Sequence, residues 1–291
     1  MQTLWDQERE TTWLSPALRK RYAGGLRFPA RPQPYVYANF VASVDGVVSY
    51  RIPGQAGGGA ISQGDAGDRF VMGLLRATAD AVIVGATTLR EAGPKALWDP
   101  GYTYPAAAPA FRQWRRKQRL PGVPLLVVVT ASGHLPAHYS ALTGPQARVL
   151  VITSKQGAAR APRGVLVRAL AAQGGHVPVA ALLRLLREEF GVRRLLHEGG
   201  PSLLGAFVRA GALHELFLSV APSLAGRDEG AVRPGLLARA AFLPAEAPQL
   251  QLRSVKANGS MLFLRYRVTG SAARLSSRRR TVGSKGLQAK T

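Results

Sequence analysis

Four short apolar runs constrain the fold of this chain more than any other feature of its sequence. They lie at residues 81–84, 125–130, 148–153 and 192–197, each bounded by turn residues. Continuous apolar runs of this length are typical of strands that are buried on both faces of a parallel sheet. An amphipathic helical pattern at 179–190 precedes the last run. The alternation predicts an α/β fold, with helices on both faces of a mostly parallel central sheet. Two late strands are predicted at 215–220 and 261–268, and an antiparallel orientation is possible for them.

The chain is predicted to form one domain over residues 35–270, because its 291 residues show no internal repeat of fixed period. Residues 1–34 are interpreted as an N-terminal extension, with a short helix at 16–21 and a stiff proline-rich connector at 28–34. Residues 271–291 hold six basic residues and no acidic one, and they are predicted to be a disordered tail.

The first part of the predicted domain changes its pattern twice. A strand is expected at 35–43, followed by a flexible loop at the three consecutive glycines 57–59. A helical period begins at Gly64, and Asp65 or Asp68 supplies a carboxylate to the first turn. Such a carboxylate suits the positive end of the helix dipole.

The absence of cysteine excludes disulfides, thiolate metal sites and cysteine nucleophiles. The five histidines show no ligand spacing, so we predict surface or packing roles for them and no metal site. The apolar runs are far shorter than the roughly 20 residues of a membrane helix. Asp6, Glu8 and Glu10 stand where a secretory signal would be apolar. These features predict a cytoplasmic protein with no membrane partner.

The formal net charge of +23 implies an affinity for anions without naming one. Basic residues concentrate in the tail and at 111–119. Phosphorylated cofactors, nucleic acids and acidic membrane surfaces all fit such a charge. The tail lacks interleaved aromatic residues and no nucleic-acid-binding motif is present, so a solvated basic surface is favoured. A basic nucleic-acid-binding protein without catalysis stays as the alternative from another functional class.

One candidate site follows the last apolar run, where Gly199 and Gly200 separate a strand from a helix. Pro201 suits the first helical position because its missing N–H costs no hydrogen bond there. The amides of Ser202 and Leu203 are then expected to point out of the helix start unpaired, an arrangement that binds phosphate. An ordinary tight turn between a strand and a helix is the alternative.

A similar turn follows the strand at 81–84, where Gly85 precedes Thr87 and Thr88. Either threonine fits as a helix cap or as a hydrogen-bond partner of a cofactor. Both turns are expected at the carboxyl ends of strands in one sheet, where ligands of open α/β folds bind. No Gly-x-Gly-x-x-Gly follows the first strand, which disfavours a standard Rossmann dehydrogenase.

The strand at 35–43 places Asn39 and Ser43 on one face and leads to Asp45. A carboxylate at this point is able to donate or relay a proton if burial raises its pKa toward neutrality. In the alternative interpretation, Asp45 and Gly46 only form a turn.

Four segments at 39–46, 75–88, 198–204 and 213–226 together resemble one family. In order, they contain Ser-x-Asp-Gly, Leu-Arg-x-x-x-Asp-Ala-x-x-Val-Gly-x-x-Thr, Glu-Gly-Gly-Pro-Ser-Leu and His-Glu-Leu-x-Leu-x-x-x-Pro. With these motifs the chain resembles the riboflavin-biosynthesis pyrimidine reductase C-terminal domain family, over about residues 35–268. The resemblance implies a dihydrofolate-reductase-like three-layer fold, an NADPH cofactor, a small heterocyclic substrate and a homodimer.

The resemblance also implies residue roles. The expected cofactor contacts are Gly85, Thr87, Thr88, Gly199, Gly200, Pro201, Ser202 and Leu203, with Thr130 and Ser132 near the adenosine ribose or 2′-phosphate. Asp45 and Glu198 are the expected catalytic residues. Asn39, Ser43, Ser62 and Arg76 are the expected substrate contacts.

Two segments depart from the family pattern. The family usually has a tryptophan near the position of Ala60, and Asp-Asp-Pro-x-Leu-x-x-Arg where this chain has Arg90-Glu-Ala-Gly-Pro94. The cofactor half therefore matches better than the substrate half. Three functions therefore stay open. They are an activity like that of 5-amino-6-(5-phosphoribosylamino)uracil reductase, the reduction of dihydrofolate or another pyrimidine- or pterin-like heterocycle, and cofactor binding without catalysis.

Overall fold

The computed structural model describes residues 1–8, 11–52, 57–171, 177–230 and 233–270. The predicted disordered tail at 271–291 and His176 lie outside the described residues. Within the described part of the chain, no helix is both long enough and apolar enough to cross a membrane.

Strands and helices alternate through most of the described chain. The strands are β1 (Gln2–Asp6), β2 (Tyr35–Ser43), β3 (Ala81–Gly85), β4 (Leu125–Val129), β5 (Val149–Thr153), β6 (Leu166–Ala169), β7 (Arg194–His197), β8 (Glu215–Ala221), β9 (Leu250–Asn258) and β10 (Met261–Val268). The helices are α1 (Pro16–Tyr22), α2 (Gly57–Ser62), α3 (Ala66–Thr78), α4 (Ala86–Ala92), α5 (Pro100–Thr103), α6 (Ala108–Lys117), α7 (Ser140–Thr143), α8 (Lys155–Ala158), α9 (Val179–Glu188) and α10 (Pro201–Arg209). A short 3₁₀ turn covers Pro105–Ala107.

The described strands form one sheet with the order β1-β9-β10-β8-β2-β7-β3-β4-β5-β6. From β8 to β6 every neighbouring pair is parallel. The remaining pairs, which include the late strands β9 and β10, are antiparallel. The prediction of a mostly parallel sheet is therefore confirmed. Of the two late strands, the one at 215–220 (β8) is parallel to β2, and the one at 261–268 (β10) is antiparallel to both of its neighbours.

Consecutive residues of the central strands enter two different hydrophobic cores. In β3, Val82 and Val84 pack into the core that holds α1, α3 and α6, whereas Ala81 and Ile83 pack into the core that holds α9 and α10. Successive side chains of a strand point to opposite faces, so a strand between two helical layers must be apolar at every position. The continuous apolar runs in the sequence follow from this three-layer arrangement.

The N-terminal segment is packed against the domain. Strand β1 pairs antiparallel with β9, and Leu18 and Tyr22 of α1 are buried in the main core. The ammonium group of Lys256 lies 2.7 Å from the Asp6 carboxylate, with both side chains almost fully buried. The predicted helix in this segment is confirmed, but the strand before it was not predicted.

The three glycines at 57–59 belong to helix α2, so the prediction of a flexible loop there was wrong. Ile61 of the same helix is 1% exposed and provides the apolar contact that holds it. A Cβ atom at Gly58 would lie 3.0 Å from Val41 Cγ1 of β2. The missing side chain therefore allows the helix to lie close to the sheet.

One basic cluster expected on the surface contains a buried arginine. Arg115 is 1% exposed, and its guanidinium donates to the carbonyls of Ala77, Ala79 and Pro121. These contacts satisfy carbonyl groups at the end of α3, where a cation also suits the helix dipole. This part of the positive charge has a structural role.

Candidate functional site

The carboxyl ends of β2, β3, β4 and β7 meet at one edge of the sheet, and two connected cavities open there. The first, called the outer cleft, has a volume of about 560 Å³ and follows β3, β4 and the start of α10. The second, called the inner cleft, has a volume of about 200 Å³ and lies against β2 and α3. Both are lined by Ser49, Thr88, Glu91, Gly200 and Pro201.

The two glycine turns predicted from the sequence contact each other. The Gly200 amide donates to Thr88 Oγ1 at 2.9 Å. A Cβ atom at Gly199 would lie 2.8 Å from the Gly85 nitrogen, so a larger residue is sterically excluded at this crossing. Helix α4 has Gly85 as its N-cap, without a side-chain cap. Thr88 therefore joins the two turns and does not cap its helix.

The start of α10 differs from the prediction in one amide. Pro201 occupies the first turn as expected, but the Leu203 amide donates to the Gly200 carbonyl at 3.0 Å. The prediction of an unpaired Leu203 amide was therefore wrong. Ser202, the other residue of this prediction, lines the outer cleft.

The opposite wall of the outer cleft is the loop that follows β4. Thr130 Oγ1 accepts a hydrogen bond from the Gly133 amide at 3.2 Å and lies 3.5 Å from Ser132 Oγ. The outer cleft brings together nearly all the predicted cofactor contacts: Gly85, Thr87, Thr88, Thr130, Ser132, Gly200, Pro201, Ser202 and Leu203. Gly199 does not line the cleft among the described residues, and it contributes through the crossing of the turns.

Four arginines line the outer cleft, namely Arg51, Arg90, Arg209 and Arg239. Arg51 and Arg239 adopt φ values of 53° and 56°, a left-handed conformation that costs energy for a residue with a side chain. Such an excess of positive charge favours an anionic ligand. Sequence reasoning missed the set because its members come from four separate segments.

In the inner cleft, Glu198 and Arg76 form a buried ion pair. Arg76 Nη2 lies 2.7 Å from Glu198 Oε2, and the two side chains are 9% and 8% exposed. Arg76 Nε also donates to the Glu198 carboxylate, while Nη1 donates to Thr103 Oγ1 and the Leu97 carbonyl. Arg76 lines the cleft as predicted, yet these contacts engage each of its nitrogens. Its geometry is that of a group that positions Glu198.

Two buried polar groups in the inner cleft have no hydrogen-bond partner among the described residues. They are Asn39 Oδ1 and Trp98 Nε1, and both residues line the cleft. Leaving a buried donor or acceptor unsatisfied costs about 1–3 kcal/mol. One acceptor and one donor are thus available to a ligand. Asn39 was predicted, whereas Trp98 was not, because its loop carries no motif.

Asp68 is the second carboxylate of the inner cleft that is almost fully buried. Burial raises the pKa of Asp68 to about 6, although hydrogen bonds from Ser219 and Ser62 act in the opposite direction. Ser62, a predicted substrate contact, is thus a partner of this carboxylate. The sequence placed Asp68 in the first turn of a helix, but gave no sign that the side chain faces a cleft.

The proposed proton relay at Asp45 rested on a premise that is wrong. The Ala225 amide, the Ser43 hydroxyl and the Gly226 amide hold the pKa of Asp45 well below its usual range. The distances from these donors to the carboxylate are 3.0, 2.6 and 2.7 Å. Neither Asp45 nor Ser43 is among the described residues that line the two clefts. Both instead fix the turn after β2 against the segment after β8.

The buried His197 and the partly buried His214 have packing roles. His197 lies between Phe40 and Phe207, and burial lowers its pKa to about 3. His214 Nδ1 accepts the Val36 amide at 3.0 Å. Among the described residues, no group of three or more histidines and carboxylates is arranged to hold a metal ion.

Comparisons with known proteins agree on one family. A family model described as the RibD C-terminal domain matches residues 34–264. The 2,5-diamino-6-ribosylamino-4(3H)-pyrimidinone 5′-phosphate reductase of Archaeoglobus fulgidus is 32% identical over 206 residues, which cover 70% of this chain and 87% of the relative.

Two solved structures show the fold. A pyrimidine reductase-like protein from Corynebacterium diphtheriae has a TM-score of 0.63 at 24% identity, covering 82% of this chain and 93% of its own. RibD from Acinetobacter baumannii has a TM-score of 0.60 at 22% identity, covering 82% of this chain and 59% of its own. The predicted dihydrofolate-reductase-like α/β fold is therefore confirmed.

Proposed function

Because the chain belongs to the RibD C-terminal domain family, we propose that it is an NADPH-dependent reductase of a ribosylaminopyrimidine 5′-phosphate in riboflavin biosynthesis. The observation that carries this proposal is the junction of the two clefts. A basic outer cleft opens onto an inner cleft with two unpaired buried polar groups, Asn39 Oδ1 and Trp98 Nε1. The first suits a dinucleotide, and the second suits a small heterocycle.

We assign the outer cleft to the dinucleotide. The crossing of Gly85 and Gly199 brings two backbone turns together without side chains between them. Ser202 at the start of α10 then lies at the positive end of a helix, a position that suits a pyrophosphate. Thr130 and Ser132 offer hydroxyl groups to the adenosine end. When bound, the reduced nicotinamide supplies a hydride for the substrate.

We propose NADPH rather than NADH as the cofactor because the outer cleft is positively charged. Arg90 projects from α4 and its Nη1 lies 3.5 Å from the His134 carbonyl, in the same loop as Ser132. An arginine beside this loop is suited to the additional 2′-phosphate of NADPH, because a guanidinium binds phosphate through paired N–H donors.

The inner cleft holds and orients the substrate in this proposal. Arg76 fixes Glu198 through paired hydrogen bonds, so the carboxylate keeps one orientation toward the ligand. Asn39 Oδ1 and Trp98 Nε1 provide an acceptor and a donor. Apolar residues such as Val41 and Met72 also line the cleft, and they exclude water from the reacting atoms. Because the amides and the hydroxyl around Asp45 lower its pKa, its carboxylate has no proton to donate at neutral pH, and we assign the proton of the reduction to another group.

We further propose a homodimer and, from the kind of reaction, a cytoplasmic location. One sheet face carries partly exposed apolar side chains on three adjacent strands: Phe40 of β2, Leu218 and Val220 of β8, and Leu262 and Leu264 of β10. Leu218 pairs with Leu264, and Val220 pairs with Leu262. A contiguous apolar patch of this kind is typical of an interface between subunits.

The proposed function is tested by following NADPH oxidation with ribosylaminopyrimidine 5′-phosphates and with dihydrofolate as acceptors. We expect turnover with a pyrimidine phosphate and much less with dihydrofolate. Glu198→Gln is expected to lower turnover while NADPH still raises the melting temperature, because Glu198 lies in the inner cleft. An enzyme that binds NADPH but reduces none of the ribosylaminopyrimidine 5′-phosphates would contradict the assigned substrate. Failure to bind NADPH would contradict the assignment of the outer cleft to the cofactor.

A further inference from the structure

A third cavity lies at the opposite end of the sheet from the two clefts. This rear cavity has a volume of about 670 Å³, and the side chains that give it its character are Glu8, Arg27, Arg31, Tyr35, His214 and Arg267. Tyr35 is the first residue of β2, whereas Asn39 of the same strand lines the inner cleft. These two residues are about 13 Å apart along the strand. Among the residues that the structure describes, none lines both the rear cavity and a cleft.

The charges around the rear cavity do not balance. The carboxylate of Glu8 is already shared by three arginines, of which Arg267 is one. Arg27 and Arg31 also line the cavity, and neither forms an ion pair with a carboxylate in the described part of the chain. The two guanidinium groups therefore add two positive charges to the cavity without a counter-ion from the described residues. Such an arrangement attracts an anionic ligand.

His214 adds a neutral hydrogen-bond donor to the rear cavity. Its Nδ1 accepts the Val36 amide at 3.0 Å, and burial, together with the charge of Arg31, lowers its pKa to about 4. At neutral pH the ring is therefore uncharged and carries its proton on Nε2. No described residue accepts this proton. The ring stacks on Tyr35 with the two ring centres 4.7 Å apart, which fixes its orientation.

We propose that the rear cavity binds a small molecule that carries a phosphate monoester. Such a group has a charge of about −1.5 to −2 at pH 7, which matches the two charges of Arg27 and Arg31. Guanidinium groups bind phosphate through paired N–H donors, and His214 Nε2–H supplies a further donor. A carboxylate has a single charge and would leave one guanidinium uncompensated. The volume of the cavity lies in the range of small-molecule sites, so it also accommodates the rest of the ligand.

The site is separate from the proposed reductase. Arg27, Arg31 and Arg267 lie outside residues 34–264, over which the family model matches. Arg27 and Arg31 belong to the segment that precedes β2, whereas His214 and Arg267 belong to the part of the chain that forms the sheet. A bound phosphate would therefore connect the N-terminal segment to the sheet. Because it binds only the folded state, it should also raise the melting temperature.

Calorimetric titration with ribose 5-phosphate tests the proposal, with excess NADP⁺ present to fill the outer cleft. We expect saturable binding at millimolar or lower concentrations, weaker binding of the monoanion gluconate, and no binding of ribose. Arg27→Gln combined with Arg31→Gln should raise the Kd at least about tenfold, because two charge-assisted hydrogen-bond partners are lost. Arg160→Gln combined with Arg184→Gln is the matched control: it removes the same charge at two exposed positions outside the cavity and should keep the wild-type Kd.

Histidine NMR signals locate the bound phosphate in the wild type, so this measurement does not depend on how well a variant folds. The ring signals of His214, assigned with His214→Gln, should shift on titration with ribose 5-phosphate. Those of His197 should not, because this ring is buried between two phenylalanines. The absence of saturable binding, an unmoved His214 signal, or an equal loss of affinity in both double variants would overturn the proposal. Equal affinity for gluconate would overturn the assignment to a phosphomonoester.

Discussion

Thr88 Oγ1 accepts the amide proton of Gly200 at 2.9 Å, so a side chain that follows β3 holds the turn that follows β7. The two residues are 112 positions apart in the chain and line both clefts. The contact thus fixes the distance between the two glycine turns that we assign to the cofactor.

Thr88→Val should weaken NADPH binding about three- to tenfold, because it removes one hydrogen bond of roughly 0.5–1.5 kcal/mol and leaves the Gly200 amide unpaired. Fluorescence titration with NADPH measures the effect. Thr88→Ser keeps the hydroxyl and should bind almost as well as the wild type. Equal affinities in the valine and serine variants would show that this hydrogen bond does not shape the cleft.

Gly199→Ala should disrupt the crossing of the two turns. The added Cβ would lie 2.8 Å from the Gly85 nitrogen and 2.9 Å from Val84 Cα, both of them backbone atoms. We expect a loss of stability of about 1–3 kcal/mol, measured by urea unfolding, and weaker NADPH binding. Gly122→Ala is the control, since nothing lies within 4 Å of a Cβ there. Similar stability of the two variants would argue against the close approach.

Arg90→Gln tests the choice of cofactor. If the guanidinium binds the 2′-phosphate, the variant should lose about five- to thirtyfold in affinity for NADPH and little for NADH, because an exposed charged contact to phosphate contributes about 1–2 kcal/mol. The ratio of the two dissociation constants is the measurement. Arg69→Gln serves as the control, since Arg69 lies outside the residues described as lining the outer cleft. An equal loss for both cofactors would remove Arg90 from the specificity determinants.

Asp68→Asn should stabilise the protein at high pH. The ordinary pKa of this carboxyl is 3.8 and its folded pKa is about 6, so the folded state holds more protons between these values. The free energy of unfolding therefore falls as the pH rises through this window, by about 3 kcal/mol in total, and stays lower above it. Asparagine carries no charge and avoids this loss.

Urea unfolding at pH 4 and pH 8 measures the effect. We expect a gain of about 1–3 kcal/mol for Asp68→Asn at pH 8 and little change at pH 4. Asp65→Asn, which lies in the same turn, should show a smaller pH-dependent difference. Destabilisation of Asp68→Asn at pH 8 would show that the buried carboxylate is compensated by the protein itself.

Leu262→Glu should convert the proposed dimer to a monomer. Leu262 is 36% exposed on the apolar sheet face, and a carboxylate there would be buried without a partner in an interface. Light scattering after gel filtration gives the mass. Leu166→Glu changes a similarly exposed leucine on β6, at the other edge of the sheet, and should leave the mass unchanged. A wild-type monomer would contradict the proposal directly.

The sequence predicted the parts of the fold that repeat a local pattern. The central strands were recognisable because both of their faces are buried, and α9 because its apolar residues recur on one face. Strands β1, β6 and β9 were missed. They are edge or near-edge strands with mixed polarity, and β1 pairs with β9 about 250 residues away, a contact that leaves no local signal.

The candidate site shows the same division. Gly85, Gly200 and Ser202, which line the outer cleft, were predicted as cofactor contacts because strand–glycine–helix turns have a local signature. The roles of Asp68 and Trp98 depend on which side of an element faces a cavity formed by distant segments. Asp45 was misjudged for a related reason: the amides that lower its pKa belong to Ala225 and Gly226, far away in the sequence.

The position of β1 matters for how the protein is produced. Glu8, just after this strand, contacts Arg253, Arg265 and Arg267, so truncation of the N-terminal segment would leave three cations without their shared counter-ion. It would also turn β9 into an open edge that is able to recruit strands from other molecules. An affinity tag is therefore better fused beyond residue 270 than in place of the first residues.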